Sequence, residues 1–238
     1  VFFCAEHVAY NPETLSWMCR AFKAAGINPI VRILEPSPFL ATQALDAGAC
    51  SVLVPYVEEV EDVLALVGAV KYRPLKGKKL QRILHGDETL SAEMQAYVLS
   101  HNRHNSLLIN IESPEGVKNL DAFLSIPSLD GPGVDGIVLG PHDLSTSHEM
   151  PEKYVSEEFL ALSRGIIQRT RAQGIAAGGH TGFRNSVELS MDWAQHGANI
   201  ILHCSDMFFS ADKAQQDFNR IKNSLGQSEH TSTSQESI

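Results

Sequence analysis

The 238-residue chain is long enough for one large globular domain, and 43% of its residues are hydrophobic and 20% are charged. A formal net charge of −9, without any cluster of Lys or Arg, argues against general affinity for nucleic acid or anionic membranes. No apolar run is long enough to cross a membrane. The four cysteines are widely spaced and form no CxxC pair, which indicates reduced thiols in a cytoplasmic protein.

Short apolar runs alternate with amphipathic stretches almost to the end of the chain. Strands are predicted over residues 1–4, 29–32, 51–54, 106–111, 136–139, 175–178 and 199–203. Helices are predicted over residues 12–25, 38–47, 57–70, 92–100, 114–124, 157–173, 184–196 and 211–225. The polar stretch 77–88 predicts an irregular loop over the catalytic face. Residues 1–225 are assigned to one domain and 226–238 to a disordered tail.

Strand–helix alternation of this length predicts parallel βαβ units. Seven units are countable, which favours an α/β fold of the TIM type, a (β/α)₈ barrel without its first strand and helix. The chain has no initiator Met and opens with Val1-Phe-Phe-Cys, so we expect an amino-terminal portion to precede it. A doubly wound open sheet is the alternative, but no glycine-rich phosphate loop follows any strand.

Two apolar runs end abruptly in a carboxylate. The run LLINI ends at Glu112, and the run GIVL is followed by Gly140-Pro-His-Asp143. The carboxyl ends of parallel strands meet on one face of a barrel, where active sites form. Glu112 and Asp143 could therefore share a divalent cation such as Mg²⁺ or Mn²⁺. Alternatively, Glu112 caps or salt-bridges the helix that follows it, and Asp143 caps the turn before Leu144-Ser145.

Other candidate residues also follow predicted strands. Arg32 could bind the oxygen of a keto acid or its enolate, or it could merely pair with Glu6 or Glu35. His7 is the best candidate for a general base, although most single histidines have no such role. Asp46 could orient a histidine or cap its own helix.

Three further histidines, His142, His180 and His203, lie near strand ends, so a zinc site of three histidines is conceivable. No HxH or HExxH spacing supports that site. The cysteines lack the setting of a nucleophile, and no GxSxG motif is present. No predicted strand ends in a lysine that could form an imine with a carbonyl substrate. Activation of such a substrate by a metal ion is therefore favoured over activation as an imine.

At these residues the sequence resembles the HpcH/HpaI family of metal-dependent, pyruvate-utilising class II aldolases. The matching segments are Glu6-His7, the IVR ending at Arg32, the LDAG around Asp46, the IE ending at Glu112, and GIVLGPHDLS around Asp143. The resemblance extends from residue 1 to about residue 209. It implies cleavage or formation of 4-hydroxy-2-oxo acids through a pyruvate enolate, and a divalent metal ion, either Mg²⁺ or Mn²⁺ or else Co²⁺ or Zn²⁺. Oxaloacetate decarboxylation, acyl-CoA cleavage like that of citrate lyase, and an inactive homologue are the alternatives.

The resemblance also implies a role for each matching residue. Glu112 and Asp143 would bind the metal, Arg32 would contact the enolate oxygen, and His7 would act as the base with Asp46 as its acid partner. Substrate contacts would come from the segment Gly140, Pro141, His142 and Asp143, and from Asn110, which stands where relatives often carry Gln.

Two features depart from the family pattern. Cys4 stands where relatives carry an Asp three residues before the catalytic His, and the stretch 76–81 lacks the usual Arg-Gly. The resemblance further implies a homo-oligomer, commonly a hexamer built as a trimer of dimers, in which the last helix is exchanged between subunits.

Overall fold

The computed structural model of the chain describes residues 1–183 and 186–226. Seven parallel strands lie in chain order in one sheet and form a nearly closed barrel. They are β1 (Phe2–Cys4), β2 (Ile30–Arg32), β3 (Ser51–Val54), β4 (Ser106–Ile111), β5 (Gly136–Leu139), β6 (Ala176–Thr181) and β7 (Ile200–His203). The predicted TIM-type barrel without one unit is confirmed.

Ten helices connect or follow these strands among the described residues. They are α1 (Pro12–Ala24), α2 (Pro38–Ala47), α3 (Val60–Lys71), α4 (Gly77–Leu84), α5 (Ala92–Asn102), α6 (Pro114–Leu124), α7 (Pro141–Ser147), α8 (Glu157–Ala172), α9 (Val187–Gln195) and α10 (Asp206–Ser224). None of these described helices is both long and apolar enough to span a lipid bilayer.

The outer and inner faces of the sheet bury two separate hydrophobic clusters. On the outer face, strand residues such as Val52, Ile109 and Ile137 join the helices in the main hydrophobic core. The inner face holds a smaller cluster around Leu53, Leu108 and Val138. Side chains alternate between the faces of a strand, so Asn110 on β4 and Glu112 directly after it face inward like Leu108. The polar residues of the inner face therefore lie above an apolar floor, towards the carboxyl ends of the strands.

The helix starts follow from local sequence. Asn11, Ser37 and Ser113 each accept a hydrogen bond from a backbone N–H in the first turn of the next helix, and a proline follows each of them. This arrangement satisfies backbone donors that would otherwise lack a partner. It begins α1, α2 and α6, the helices that follow β1, β2 and β4 in the chain.

The prediction of an irregular loop over residues 77–88 was wrong. Residues Gly77–Leu84 form α4, whose Leu80 and Leu84 pack against Gly68 near the end of α3. Their spacing of four places both leucines on one face of a helix, so packing on α3 outweighs the polar composition. The helix therefore packs beside α3.

Other boundaries differ by smaller amounts. The structure extends β6 to Thr181, forms the unpredicted short helix α7, and begins α10 at Asp206. The predicted start of the helix over 184–196 lies outside the described residues, as does the predicted tail from residue 227 onward.

Gly178 is expected to tolerate no side chain. A Cβ atom there would overlap the backbone carbonyl of Ile200, on the neighbouring strand β7. Because backbone cannot yield as a flexible side chain can, Gly178→Ala should lower the free energy of unfolding by about 3 kcal/mol. Urea denaturation measures the change. The matched control is Gly165→Ala in α8, where a Cβ meets nothing within 4 Å, and it should be neutral or slightly stabilising.

Candidate active site

A cavity of about 690 Å³ opens at the carboxyl ends of the strands. It is lined by residues that follow or end β1, β2, β4, β5 and β6: Glu6, His7, Arg32, Glu112, Gly140, Pro141, His142, Asp143, Tyr154, His180, Gly182 and Phe183. The structure thus brings together the predicted residues His7, Arg32, Glu112 and Asp143, which are far apart in sequence.

Glu112 follows β4 and is only 2% exposed. One carboxylate oxygen accepts a hydrogen bond from the Tyr56 backbone N–H at 2.9 Å, and the other accepts one from the Asn110 amide at 2.9 Å. Tyr56 adopts a left-handed backbone conformation (φ 47°), a costly one for a residue with a side chain. The helix-capping alternative fails for Glu112, because Ser113 caps α6.

The environment of Glu112 disfavours its ionised form. Burial, with a further contribution from the negative charge of Asp143, raises the pKa of Glu112 to about 7, although the Tyr56 N–H and Arg32 oppose the shift. Arg32 lies 4.0 Å from the carboxylate, at the edge of ion-pair distance. Glu112 therefore lacks full compensation for its charge.

Asp143 lies in the first turn of α7, which begins directly after β5. The end of this helix is tied to β4, because the Ser147 hydroxyl donates to the Glu112 backbone carbonyl at 2.9 Å. Gly140 joins β5 to α7, and a Cβ atom there would overlap the Glu112 carboxylate. The absence of a side chain at Gly140 thus makes room for the Glu112 carboxylate, next to the turn that carries Asp143.

Arg32 is 3% exposed and is held on three sides. Its guanidinium donates to the Cys4 sulfur at 3.0 Å, lies 2.9 Å from the Glu6 carboxylate, and stands 5.8 Å from the centre of the Phe2 ring. Of the two structural partners considered from sequence, Glu6 is the one observed. The pairing fixes the guanidinium at the wall of the cavity.

His7 is exposed at the rim, with its ring 3.7 Å from the Glu6 carboxylate. The backbone N–H of His7 donates to the Cys4 sulfur at 3.4 Å, so Cys4 supports the turn that carries the histidine. Among the described residues, Cys4, Glu6 and His7 are the one group of three Cys, His or acidic residues whose potential metal-binding atoms lie within 4.8 Å of one another. The Arg32 guanidinium already contacts two members of this group, which disfavours a cation there.

Asp46 does not reach the cavity within a single chain. It lies at the end of α2, the end remote from the carboxyl termini of the strands, and its carboxylate pairs with Arg73. A helix that follows a parallel strand runs back along the barrel, so its last turn lies at the opposite face. The predicted contact between Asp46 and His7 is therefore not formed in this structure.

His142 is exposed at the rim and takes part in an aromatic wall that sequence reasoning missed. A ring nitrogen of His142 lies 3.1 Å from the Tyr154 hydroxyl, and the Tyr154 ring stacks on Phe183 at 4.5 Å. Tyr154 and Phe183 lie in connections between elements, where no periodic pattern marks them. The zinc site of three histidines is not supported, because His180 shares this cavity with His142 and a neighbouring cavity with His203, and no described cavity is lined by all three.

The residues around Glu112 suit a hard divalent cation. Two carboxylates lie close enough for one to raise the pKa of the other, and the buried side-chain oxygen of Asn110 has no hydrogen-bond partner. Oxygen donors of this kind bind Mg²⁺ or Mn²⁺ and leave coordination positions for water or substrate. A cation between the carboxylates would relieve their repulsion.

The fold and the cavity define a (β/α) barrel with an acidic site at the carboxyl ends of its strands. The family model described as HpcH/HpaI aldolase/citrate lyase matches residues 13–207. The chain belongs to this family.

Known relatives agree with that assignment. The chain is 32% identical over 176 residues to the 2-keto-3-deoxy-L-rhamnonate aldolase of Salmonella gallinarum, covering 73% of this chain and 62% of the relative. The chain thus spans less than two thirds of that aldolase. The crystal structure of an HpcH/HpaI aldolase from Desulfitobacterium hafniense DCB-2 has a TM-score of 0.74 at 22% identity, covering 93% of this chain and 82% of the other. The citrate synthase SbnG also has a TM-score of 0.74, at 25% identity, covering 95% and 85%.

Proposed function

We propose that this protein is a metal-dependent class II aldolase that cleaves or forms 4-hydroxy-2-oxo acids through a pyruvate enolate. The observation that carries the proposal is the convergence of Glu112, Asp143, Arg32 and His7 on one cavity. Membership of a family that contains named aldolases supports it.

Each of these residues has a distinct proposed task. Glu112 and Asp143 would hold a divalent cation, Mg²⁺ or Mn²⁺ or else Co²⁺ or Zn²⁺, which supplies Lewis-acid stabilisation of an enolate when bound. Arg32, fixed by Glu6 and Cys4, donates hydrogen bonds to the developing charge on the C2 oxygen. The rim position of His7 suits it to accept the proton of the 4-hydroxyl during cleavage and return it during condensation.

The segment after β5 would receive the substrate carboxylate. The backbone N–H groups of Gly140, His142 and Asp143 at the start of α7 have no partner within the helix, as at any helix start, and Pro141 between them, which has no N–H, fixes the backbone of this turn. Asn110 would act indirectly, because its amide donates to Glu112. A role for Asp46 as the acid partner of His7 requires a second copy of the chain, since its own His7 is out of reach.

The proposal is tested by measuring pyruvate release from 4-hydroxy-2-oxo acids, with EDTA and then with added Mn²⁺ or Mg²⁺. Cleavage that EDTA abolishes and the ion restores is the expected result. Cleavage that persists in EDTA would contradict the metal-dependent mechanism.

A second candidate, decarboxylation of oxaloacetate or cleavage of an acyl-CoA as in citrate-lyase-like enzymes, would use the same enolate. The structural likeness to a citrate synthase is the observation in its favour. Among the described residues that line the cavity, Arg32 is the sole permanent cation, and it is already paired with Glu6. A CoA phosphate would thus find no free Arg or Lys in the described cavity wall, which favours the aldolase. Decarboxylation without aldol cleavage in the same assay would reverse that preference.

We further propose that the protein forms a homo-oligomer through α10, as a hexamer built from dimers, and that it acts in the cytoplasm, which its four free cysteines support. The described side chains of α10 include no buried residue. A stripe with spacings of three and four runs along the helix: Met207, Ala211, Ala214, Phe218, Ile221 and Leu225. Phe218 and Ile221 are 61% and 55% exposed, as suits a helix that packs on another chain.

Replacing Phe218 and Ile221 together by Asp should dissociate the oligomer, because each charge would be buried in an apolar interface. Light scattering coupled to gel filtration measures the mass. The matched control replaces Gln215 and Gln216, polar exposed residues of the same helix, by Asp. A wild-type protein that runs as a monomer, or a double variant of unchanged mass, would contradict this assembly.

A further inference from the structure

His180 lines the cavity from β6, yet none of the steps above uses it. Its imidazole is largely buried and tilts against the Phe2 ring at 5.1 Å between centroids. The same Phe2 ring lies beneath the Arg32 guanidinium. His180 and Arg32 therefore both pack against the Phe2 ring, on the same side of the cavity.

The strand register places His180 at the same height along the barrel as Glu112, a residue of the proposed metal site. Leu139 of β5 pairs with Gly179 of β6, so the next residues, Gly140 and His180, lie side by side. Glu112 stands on the other side of Gly140, and its carboxylate occupies the space that the missing side chain leaves, so only Gly140 lies between Glu112 and His180 in the strand register. A substrate held at Glu112 would thus extend towards the imidazole.

The absence of a side chain at Gly182 leaves room for the His180 ring. A Cβ atom on Gly182 would lie 2.9 Å from the Cε1 atom of His180. Any larger residue at 182 would push the ring out of its place. The glycine therefore keeps the ring edge at the cavity.

The hydrogen-bonding groups of this imidazole are unused. Within residues 1–183 and 186–226, neither ring nitrogen of His180 has a hydrogen-bond partner. Burial, with the positive charges of Arg32 and His7, lowers the pKa of His180 to about 4, so the ring is neutral at pH 7. A neutral imidazole offers one donor and one acceptor, which matches a hydroxyl group better than a carboxylate.

We propose that His180 is a substrate-binding residue that selects aldehydes with a hydroxyl group next to the carbonyl carbon. This inference rests on the proposed aldolase function. In that reaction the substrate carboxylate is assigned to α7, the C2 oxygen to Arg32 and the 4-hydroxyl to His7. The remaining oxygen of a hydroxylated substrate lies on the carbon that follows, in the aldehyde-derived half, and His180 is a polar residue of the described cavity wall that has no task in the steps above.

The test compares glycolaldehyde with acetaldehyde, which differ by one hydroxyl, as acceptors for pyruvate in the presence of Mn²⁺. His180→Leu should reduce kcat/KM for glycolaldehyde by about 10- to 100-fold, as for the loss of a buried hydrogen bond, and change that for acetaldehyde less than about threefold. His180→Asn keeps a donor and an acceptor and should recover part of the preference. His85→Leu, at the exposed end of α4 and away from this cavity, is the matched control and should leave both rates within about twofold of wild type.

Two further readouts separate this role from others. Exchange of the pyruvate methyl protons and the affinity for Mn²⁺ should be unchanged in His180→Leu, because neither needs the aldehyde. Equal losses for both aldehydes, no loss for either, or a loss of exchange would overturn the role of His180. A wild-type protein that neither exchanges these protons nor forms an aldol product would overturn the proposed function itself, and the role of His180 with it.

Discussion

Glu112→Gln is expected to lower kcat/KM for aldol cleavage by about 10³-fold and to weaken Mn²⁺ binding, because it removes an anionic ligand from the proposed metal site. The two oxygen contacts of Glu112, from Tyr56 and Asn110, hold the side chain in place without neutralising it. Isothermal titration with Mn²⁺ and the pyruvate-release assay measure the two effects. Glu115→Gln on the exposed face of α6 is the matched control, since it removes the same charge three residues away.

The raised pKa of Glu112 gives this prediction a pH dependence. Below about pH 7 the carboxyl is mostly protonated, so Mn²⁺ affinity should rise about tenfold per pH unit up to that point and then level off. The metal-free folded chain also binds this proton more tightly than the unfolded chain. Its stability should therefore fall as the pH rises from about 4.5 to about 7. A flat Mn²⁺ affinity between pH 5.5 and 7.5, or wild-type activity in Glu112→Gln, would remove Glu112 from the metal site.

Arg32→Lys should lower kcat by about 10²-fold while leaving the affinity for Mn²⁺ within about threefold of wild type. The planar guanidinium contacts Cys4 and Glu6 at the same time and still faces the cavity, whereas an ammonium is a single point charge. The positive charge remains near Glu112, so the metal site should survive. Steady-state kinetics with a 4-hydroxy-2-oxo acid measures the loss.

Arg20→Lys is the matched control, because it replaces an exposed arginine of α1 by lysine outside the cavity. The melting temperature of each variant checks that the fold persists. A loss confined to KM would mean that Arg32 contributes equally to substrate and transition-state binding, contrary to a role at the developing enolate.

The barrel could be predicted because all seven strands and most of the helices have a strong local signal. Runs such as LLINI and GIVL are buried on both faces of a parallel sheet, and polar caps with a following proline begin several helices. The α4 segment shows where local signals fail. Its composition is polar. It forms a helix because Leu80 and Leu84 pack on the surface of α3 around Gly68.

The sequence by itself determined the class of fold and the candidate acidic residues, since a carboxylate directly after a buried strand must lie at one end of a parallel barrel. Only the tertiary structure decided which side chains meet. It pairs Arg32 with Glu6, keeps Asp46 away at the other face with Arg73, and turns His180 towards the cavity. These outcomes depend on strand register and on contacts between residues far apart in the chain, and short-range patterns of hydrophobicity do not encode them.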